Sequence, residues 1–172
     1  VDVCSSNDPN LNKYKIIFAP SLFSTNEILE NCSGHLVLGP RFNSKTTEFK
    51  IPNPLPPNVM GLDVIVERVE TLRPNMSRPL KGAGSVIRWI EDISHNATVL
   101  DETKDGAPII LQQNNKTYLA ACLDLTAKNK LFKKLLKDQG INYVEMPEGV
   151  RQRSTKNHKF IWNYSNKEQN ID

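Results

Sequence analysis

The sequence predicts an α/β domain built on a parallel sheet and followed by a short all-β segment. Three observations carry this. A short apolar run, a capped helix start and a second apolar run succeed one another between Lys13 and Pro40. A single amphipathic stripe runs from Ala127 to Gly140, and after Gly149 the pattern changes to two brief β segments around Lys156-Asn157-His158. Alternation of strand and helix favours a parallel sheet, whereas short strands joined by turns favour an all-β unit.

In chain order, Tyr14, Ile16, Ile17, Phe18 and Ala19 form the core of a strand within Lys13 to Phe23, closed by the turn Pro20-Ser21. Apolar on both faces, it is expected to be a central parallel strand. A helix is predicted from Thr25-Asn26-Glu27-Ile28, with Ser24 or Thr25 as N-cap and Gly34 as its end. His35-Leu36-Val37-Leu38-Gly39-Pro40 then reads as the second strand of a right-handed parallel unit. Val1-Asp2-Val3 reads as the stub of an earlier strand, so the sheet is expected to lack its N-terminal part.

Residues 41 to 60 carry four prolines and no period, and are predicted to form a long ordered loop of the kind that serves function or an interface. Leu62 to Val69 is a β segment, Arg73 to Gly84 a loop, and Val86 to Ile90 a half-buried strand. Pro108 to Gln113 and Thr117 to Leu123 flank Asn114-Asn115-Lys116, where asparagine tolerates the positive φ of a tight hairpin turn. Thr126 is the predicted cap of a helix over Ala127 to Gln139, with Leu131, Phe132, Leu135 and Leu136 on its apolar stripe and Gly140 as its stop. Val150 to Arg153 and Lys159 to Tyr164 are the two closing β segments.

The 172 residues suffice for a real core, and 38% apolar with 24% charged residues suits a globular chain. No apolar run approaches the roughly 20 residues of a membrane helix. Val1-Asp2-Val3-Cys4 has neither the basic nor the apolar region of a signal peptide and no initiator Met, so the chain is expected to begin mid-sequence and its parent to be cytoplasmic. The net charge of +3 is small, and Lys128, Lys130, Lys133, Lys134 and Lys137 cluster on one predicted helix as a solvated face. Neither a nucleic acid nor a membrane is expected as a partner. Cys4, Cys32 and Cys122 are odd in number and far apart, which fits free thiols, and no Cys/His pair has zinc-ligand spacing. Asn-X-Ser/Thr sequons at Asn31, Asn75, Asn96, Asn115 and Asn163 are expected by chance in an Asn-rich chain.

The motif closest to catalysis is Asn31-Cys32-Ser33-Gly34-His35, because Cys-X-Gly-His resembles the nucleophile elbow of class I glutamine amidotransferases. Such an elbow needs a sharp turn directly after a buried strand. Cys32 instead follows a predicted helix and precedes the strand, and Met146-Pro147-Glu148-Gly149 lacks the histidine of the triad. Cys32 is therefore predicted to be a buried or helix-end cysteine. His35, His95 and His158 stand in unrelated contexts and are expected to be surface or ordinarily satisfied imidazoles. Glu67 and Glu70, Glu91-Asp92 and Asp101-Glu102 are expected to be exposed turn and strand-edge charges, since glycosidase chemistry needs carboxyls facing each other across a cleft. Gly82-Ala83-Gly84-Ser85 opens a strand, whereas a phosphate loop opens a helix.

Four stretches in order resemble the family 42 β-galactosidases downstream of their catalytic barrel. They are Tyr14-Lys15-Ile16-Ile17-Phe18-Ala19-Pro20-Ser21-Leu22; Leu36-Val37-Leu38-Gly39-Pro40-Arg41 with Ser44-Lys45-Thr46 and Leu55-Pro56-Pro57; Asp105-Gly106-Ala107-Pro108 with the hairpin through Leu123 and the helix to Gly140; and Pro147-Glu148-Gly149-Val150 with Phe160-Ile161-Trp162-Asn163-Tyr164. The helix at Asn26 to Ser33 is shorter than the family usually shows, and Asn115-Lys116 stands where a glycine is common.

The resemblance implies a flavodoxin-like, class I glutamine amidotransferase-like sheet, mainly parallel and flanked by helices, over residues 1–145, serving as the trimerisation domain. Residues 146–172 would start the C-terminal β domain. It further implies that both catalytic glutamates lie on an upstream (β/α)8 barrel that binds the β-galactoside and hydrolyses it with retention, the partner of this segment being further copies of itself. No catalytic, cofactor-binding or metal-binding residue is assigned to these 172 positions, and no cofactor is expected. The loop from Phe42 to Pro57 is the part expected to lie nearest a neighbouring subunit. The alternative is an amidotransferase-like enzyme or a small-molecule-binding α/β domain, against which the missing strand-borne nucleophile counts.

Overall fold

The computed structural model describes residues 1–53 and 61–171. Leu55-Pro56-Pro57 and the end of the 41–60 loop lie outside the described residues. The chain divides into two compact units, Val1–Gln139 and Gly140–Asp172.

In the first unit, β1 (Ile16–Ala19) and β2 (His35–Leu38) are parallel and joined through a single-turn helix, α1 (Glu27–Glu30). The cap of α1 is Asn26, not Ser24 or Thr25. Its extended backbone lets Oδ1 accept from the Leu29 N–H at 3.0 Å, while the Thr25 hydroxyl donates to Glu30 instead. β2 is buried on both sides, with Leu36 and Leu38 facing one core cluster and Val37 the other. This is the pattern a covered parallel strand requires.

The long middle segment is β-rich. β3 (Val64–Thr71), β4 (Ser77–Pro79), β5 (Ser85–His95) and β6 (Thr98–Glu102) precede the hairpin of β7 (Pro108–Gln113) and β8 (Lys116–Leu119). The expected loop from Arg73 to Gly84 thus contains a short strand, β4. The turn of the hairpin is Asn114-Asn115, with Asn114 at φ 54°. β9 (Ala121–Leu123) follows β8 after one residue, and α2 (Leu125–Asp138) closes the unit. α2 is capped by Asp124, whose Oδ1 accepts from the Ala127 N–H at 2.8 Å, two residues before the predicted Thr126. Ala127, Leu131 and Leu135 are its buried stripe, as the spacing predicts.

The first sheet has the order β1-β2-β8-β7-β6, and it is mixed. β1/β2 and β2/β8 are parallel, whereas β8/β7 and β7/β6 are antiparallel. This corrects the expectation of a mainly parallel sheet flanked by helices: strands joined by a two-residue turn can only pair antiparallel, and the described residues hold two α-helices and one short 3-10 turn, Leu11–Lys13. β1 is an end strand of this sheet, not a central one.

The second sheet is antiparallel and organised around β5. β9 pairs with β5 at Val86 and at Ile90, while β4 pairs at Val86 and β3 at Ile90, so β3 and β4 share the other edge of β5 in succession. The break between them falls at Arg88, a non-glycine residue at φ 65°, whose carbonyl accepts from the Leu72 N–H at 2.7 Å. Ala120, fully buried, ties the sheets together: its N–H donates to Ile109 in β7 and its carbonyl accepts from Glu91 in β5. In the second unit, β10 (Val150–Ser154) and β11 (Lys159–Asn163) form an antiparallel hairpin in which Phe160 and Trp162 stack at 5.8 Å between ring centres.

Candidate functional site

The most elaborate polar arrangement grows out of the end of β2. Gly39 lies against the Pro20 carbonyl, and Arg41 then takes a left-handed backbone, φ 66°, followed by Asn43 at φ 53°. Left-handed conformations at such residues cost energy and persist only where surroundings over-determine them. The surroundings here are hydrogen bonds that lace the loop to residues 22–25. The Asn43 and Lys45 N–H groups donate to the Leu22 and Phe23 carbonyls, both at 3.0 Å, and the Thr25 N–H donates to Asn43 Oδ1 at 3.3 Å. Phe42, 1% exposed, anchors the loop in the core.

The Arg41 N–H donates to Glu91 Oε1 at 2.8 Å. Glu91 projects from β5 on the same side as Trp89 and is 3% exposed, so the expectation that it is a surface charge is corrected. Its neighbour Asp92 is exposed and paired to Arg68 at 3.2 Å, as expected. Strand alternation separates the two adjacent acids, and the apolar frame Trp89-x-Glu91-x-Ile93 was the signal available for it. The carboxylate also accepts from Trp89 Nε1 at 3.2 Å and from the Tyr118 hydroxyl at 2.5 Å. Burial raises the Glu91 pKa above the usual carboxyl value, against the pull of its three donors. Burial and the Glu91 charge hold the Tyr118 hydroxyl protonated well above the ordinary phenol range.

The Arg41 guanidinium is not spent on Glu91. It lies over the Phe23 ring at 4.8 Å and over the Trp89 ring at 5.4 Å, exposed to solvent between two aromatic faces. Cys122, opposite the Arg88 break on β9, is close to the same point. Burial raises its thiol pKa, and the charges of Lys128, Arg88 and Arg41 draw it back down.

The remaining residues with possible chemistry are dispersed. Cys32 is buried beyond α1, and burial pushes its thiol up, opposite to what a nucleophile needs. His35 is buried in β2 with Nε2 2.8 Å from the Thr117 hydroxyl, His95 holds the Ala97 carbonyl at 3.0 Å, and His158 is exposed. Glu67 accepts from Ser94, Glu70 sits 3.7 Å from Arg78, and Glu102 pairs with Lys81. Asp101 is a structural acceptor for the Gly82 and Glu102 N–H groups. Gly84, at φ 78°, has room only for a hydrogen, because a Cβ would lie 2.6 Å from the Ala127 nitrogen at the start of α2. Close packing on the helix thus accounts for this Gly-rich stretch. Among the described residues no helix is long and apolar enough to cross a membrane, and no group of three or more His, Cys, Asp and Glu could hold a metal.

His35 yields a pH prediction. Burial lowers its pKa below 6.5, so it stays neutral in the fold while the unfolded chain still takes a proton. Stability from this group is present above the unfolded value and is lost as pH falls below it. The urea midpoint should drop between about pH 7 and about pH 5, and His35→Gln should remove part of that drop. An equal drop in the variant would exclude His35 as its source.

No family model matches the chain. It is 30% identical over 164 residues to a β-galactosidase of Thermus thermophilus, a match covering 90% of this chain and 25% of that protein. Its fold superposes on the β-galactosidase of the psychrophilic Marinomonas ef1 with a TM-score of 0.85 and 30% identity, over 93% of this chain and 26% of the other. A family 42 β-galactosidase of G. stearothermophilus matches with a TM-score of 0.74 at 18% identity, over 90% of this chain and 27% of that one. The chain is similar to one segment of these β-galactosidases. It spans about a quarter of the length of the curated relatives it matches. Within this segment, the acids of the depression over β3 and β5 are engaged: Glu70 with Arg78, Asp92 with Arg68, and Glu91 with its three donors.

Proposed function

We propose that this segment is a non-catalytic oligomerisation domain, a homotrimeric assembly module of a cytoplasmic β-galactosidase that hydrolyses terminal β-D-galactosides with retention on a barrel outside these 172 residues. The observation that carries the reading is the extent of the match: nine-tenths of the chain aligns with only a quarter of a β-galactosidase. The engaged state of its acids supports a role other than hydrolysis. An exposed Phe49 and Ile51, on the same loop as Arg41, favour that loop as the part nearest a neighbour, since solvent-facing apolar groups of this size suit a covered surface. The parallel trio β1, β2 and β8 supports the finer reading of a flavodoxin-like ancestry.

The test is the solution mass of the chain over a concentration series by sedimentation equilibrium. A trimer that dissociates reversibly on dilution is the expected result. A monomer throughout would remove the self-sufficient assembly role from these residues.

A further inference from the structure

We propose that the face of the β10/β11 hairpin carrying Arg151, Arg153, Phe160 and Trp162 binds single-stranded nucleic acid, a role separate from the assembly reading. The register decides which side chains meet: Arg151 lies opposite Trp162, and Arg153 opposite Phe160. Directly opposed residues of an antiparallel pair share one face, so these four stand together. The other face holds Val150, which is buried, with Gln152 and Ile161. His158 extends the first face beyond the strand. Its ring lies 5.9 Å from that of Phe160, which in turn stacks on Trp162 at 5.8 Å with the planes 15° apart. The turn that places His158 is held twice: the Thr155 N–H donates to the His158 carbonyl at 2.8 Å, and the His158 N–H donates to Thr155 Oγ1 at 3.2 Å. Three rings thus run in a row along β11, and all three are exposed, Phe160 by 44% and Trp162 by 41%.

Charge and spacing select the occupant. Residues 150–164 contain Arg151, Arg153, Lys156 and Lys159 and no acid, the nearest in sequence being Glu148 and Glu168. All four cations are exposed, and among the described residues none forms an ion pair. The net charge of +3, from which no nucleic-acid partner is expected, averages over acids that lie elsewhere in the chain. Exposed rings alone would suit an apolar neighbour, but an acid-free pair of arginines registered against them calls for a polyanion that also carries planar groups. Side chains two apart on a strand repeat every ~6.6 Å, about twice the 3.4 Å step of a stacked nucleic-acid strand. The ring row therefore matches bases splayed apart, which a single strand allows and a duplex does not. Aromatic rings that take successive bases beside cations that follow the phosphates are what such binding requires, and an arginine guanidinium can serve in either part.

The experiment titrates the full chain into a fluorescein-labelled oligothymidylate of about 12 nucleotides and reads the anisotropy of the label. Expected is a saturable rise, with affinity reduced at least about fivefold by Trp162→Ala and retained in Trp162→Tyr, which keeps a ring for stacking. Arg151→Gln and Arg153→Gln should each make the slope of log K against log salt shallower by about 0.7, the signature of one lost phosphate contact on a single strand. These positions are exposed, so the variants should fold, with far-ultraviolet circular dichroism as the check. Two competitors fix the chemistry of the ligand. An abasic oligomer of the same length that competes as well as the oligothymidylate, together with unchanged affinity in Trp162→Ala, would reduce the face to a general polyanion patch and overturn the proposal. Oligoglutamate that competes better than the oligothymidylate, and loses affinity in Trp162→Ala, would reassign the face to an acidic protein segment and overturn it equally. No saturable rise at low salt would overturn it outright.

Discussion

Gly39→Ala should cost at least about 3 kcal/mol of stability, an effect at the upper end for a single added methyl group. Gly39 closes β2, where its N–H donates to the Ala19 carbonyl at 3.2 Å. A Cβ there would overlap the Pro20 carbonyl oxygen and lie 2.5 Å from its carbon and 2.8 Å from its Cα. All three atoms are backbone, so no side chain can swing aside. Relief requires β1 and β2 to part at the end of their shared ladder, beside a core that includes Leu36, Leu38 and Phe42. The entropic gain of an ordinary Gly→Ala change, about 0.4–1 kcal/mol, is too small to compensate. Gly140→Ala serves as the control. Gly140 has φ 59° with nothing near its Cβ position, so alanine there should cost only about 1–2 kcal/mol, the intrinsic penalty of a left-handed residue. Urea unfolding of both variants is the measurement, and equal midpoints would exclude the steric account.

The stretches that could be read in the sequence are those whose determinants are local. The doubly buried Leu36-Val37-Leu38, the turn at Asn114-Asn115 and the stripe of α2 each declare themselves within a dozen residues, through composition, positive-φ tolerance and a 3.6-residue period. Pairing direction is a different matter. β8 lies next to β2 in parallel because of contacts some eighty residues apart in sequence, and no local signal marks them. The sequence predicts a strand over Val86 to Ile90, whereas β5 extends to His95, because the Arg88 break and the adjacent acids Glu91-Asp92 disturb the period-two pattern by which strands are recognised. The same disturbance concealed the candidate site. In the sequence Glu91 reads as an ordinary surface acid next to Asp92, and only the closure of Tyr118, Trp89 and the Arg41 loop around it distinguishes the two.

Glu91→Ala should cost about 3–5 kcal/mol, because it strips a buried acceptor from three donors at once. The Tyr118 hydroxyl, Trp89 Nε1 and the Arg41 N–H would be left without their partner, and the loop that Arg41 begins would lose its tie to β5. Glu91→Gln should be milder, about 1–2 kcal/mol: the amide oxygen keeps an acceptor, and the Tyr118 hydroxyl can turn to accept from the new NH2 group. The pH dependence separates charge from shape. Because burial raises the Glu91 pKa above 4.5, the folded state holds this proton more tightly than the unfolded chain. The stability it contributes is full below the unfolded value and is lost as pH rises through the folded one. Glu91→Gln cannot titrate and should lack that loss, so its deficit against the wild type should change across this window. A double-mutant cycle with Tyr118→Phe then reads the pair directly, and a coupling of about 0.5–3 kcal/mol is expected for two groups in one buried hydrogen bond. A Glu91→Ala change within about 0.5 kcal/mol of wild type would place this carboxylate on the surface, and the fixed backbone of Arg41 would need another source.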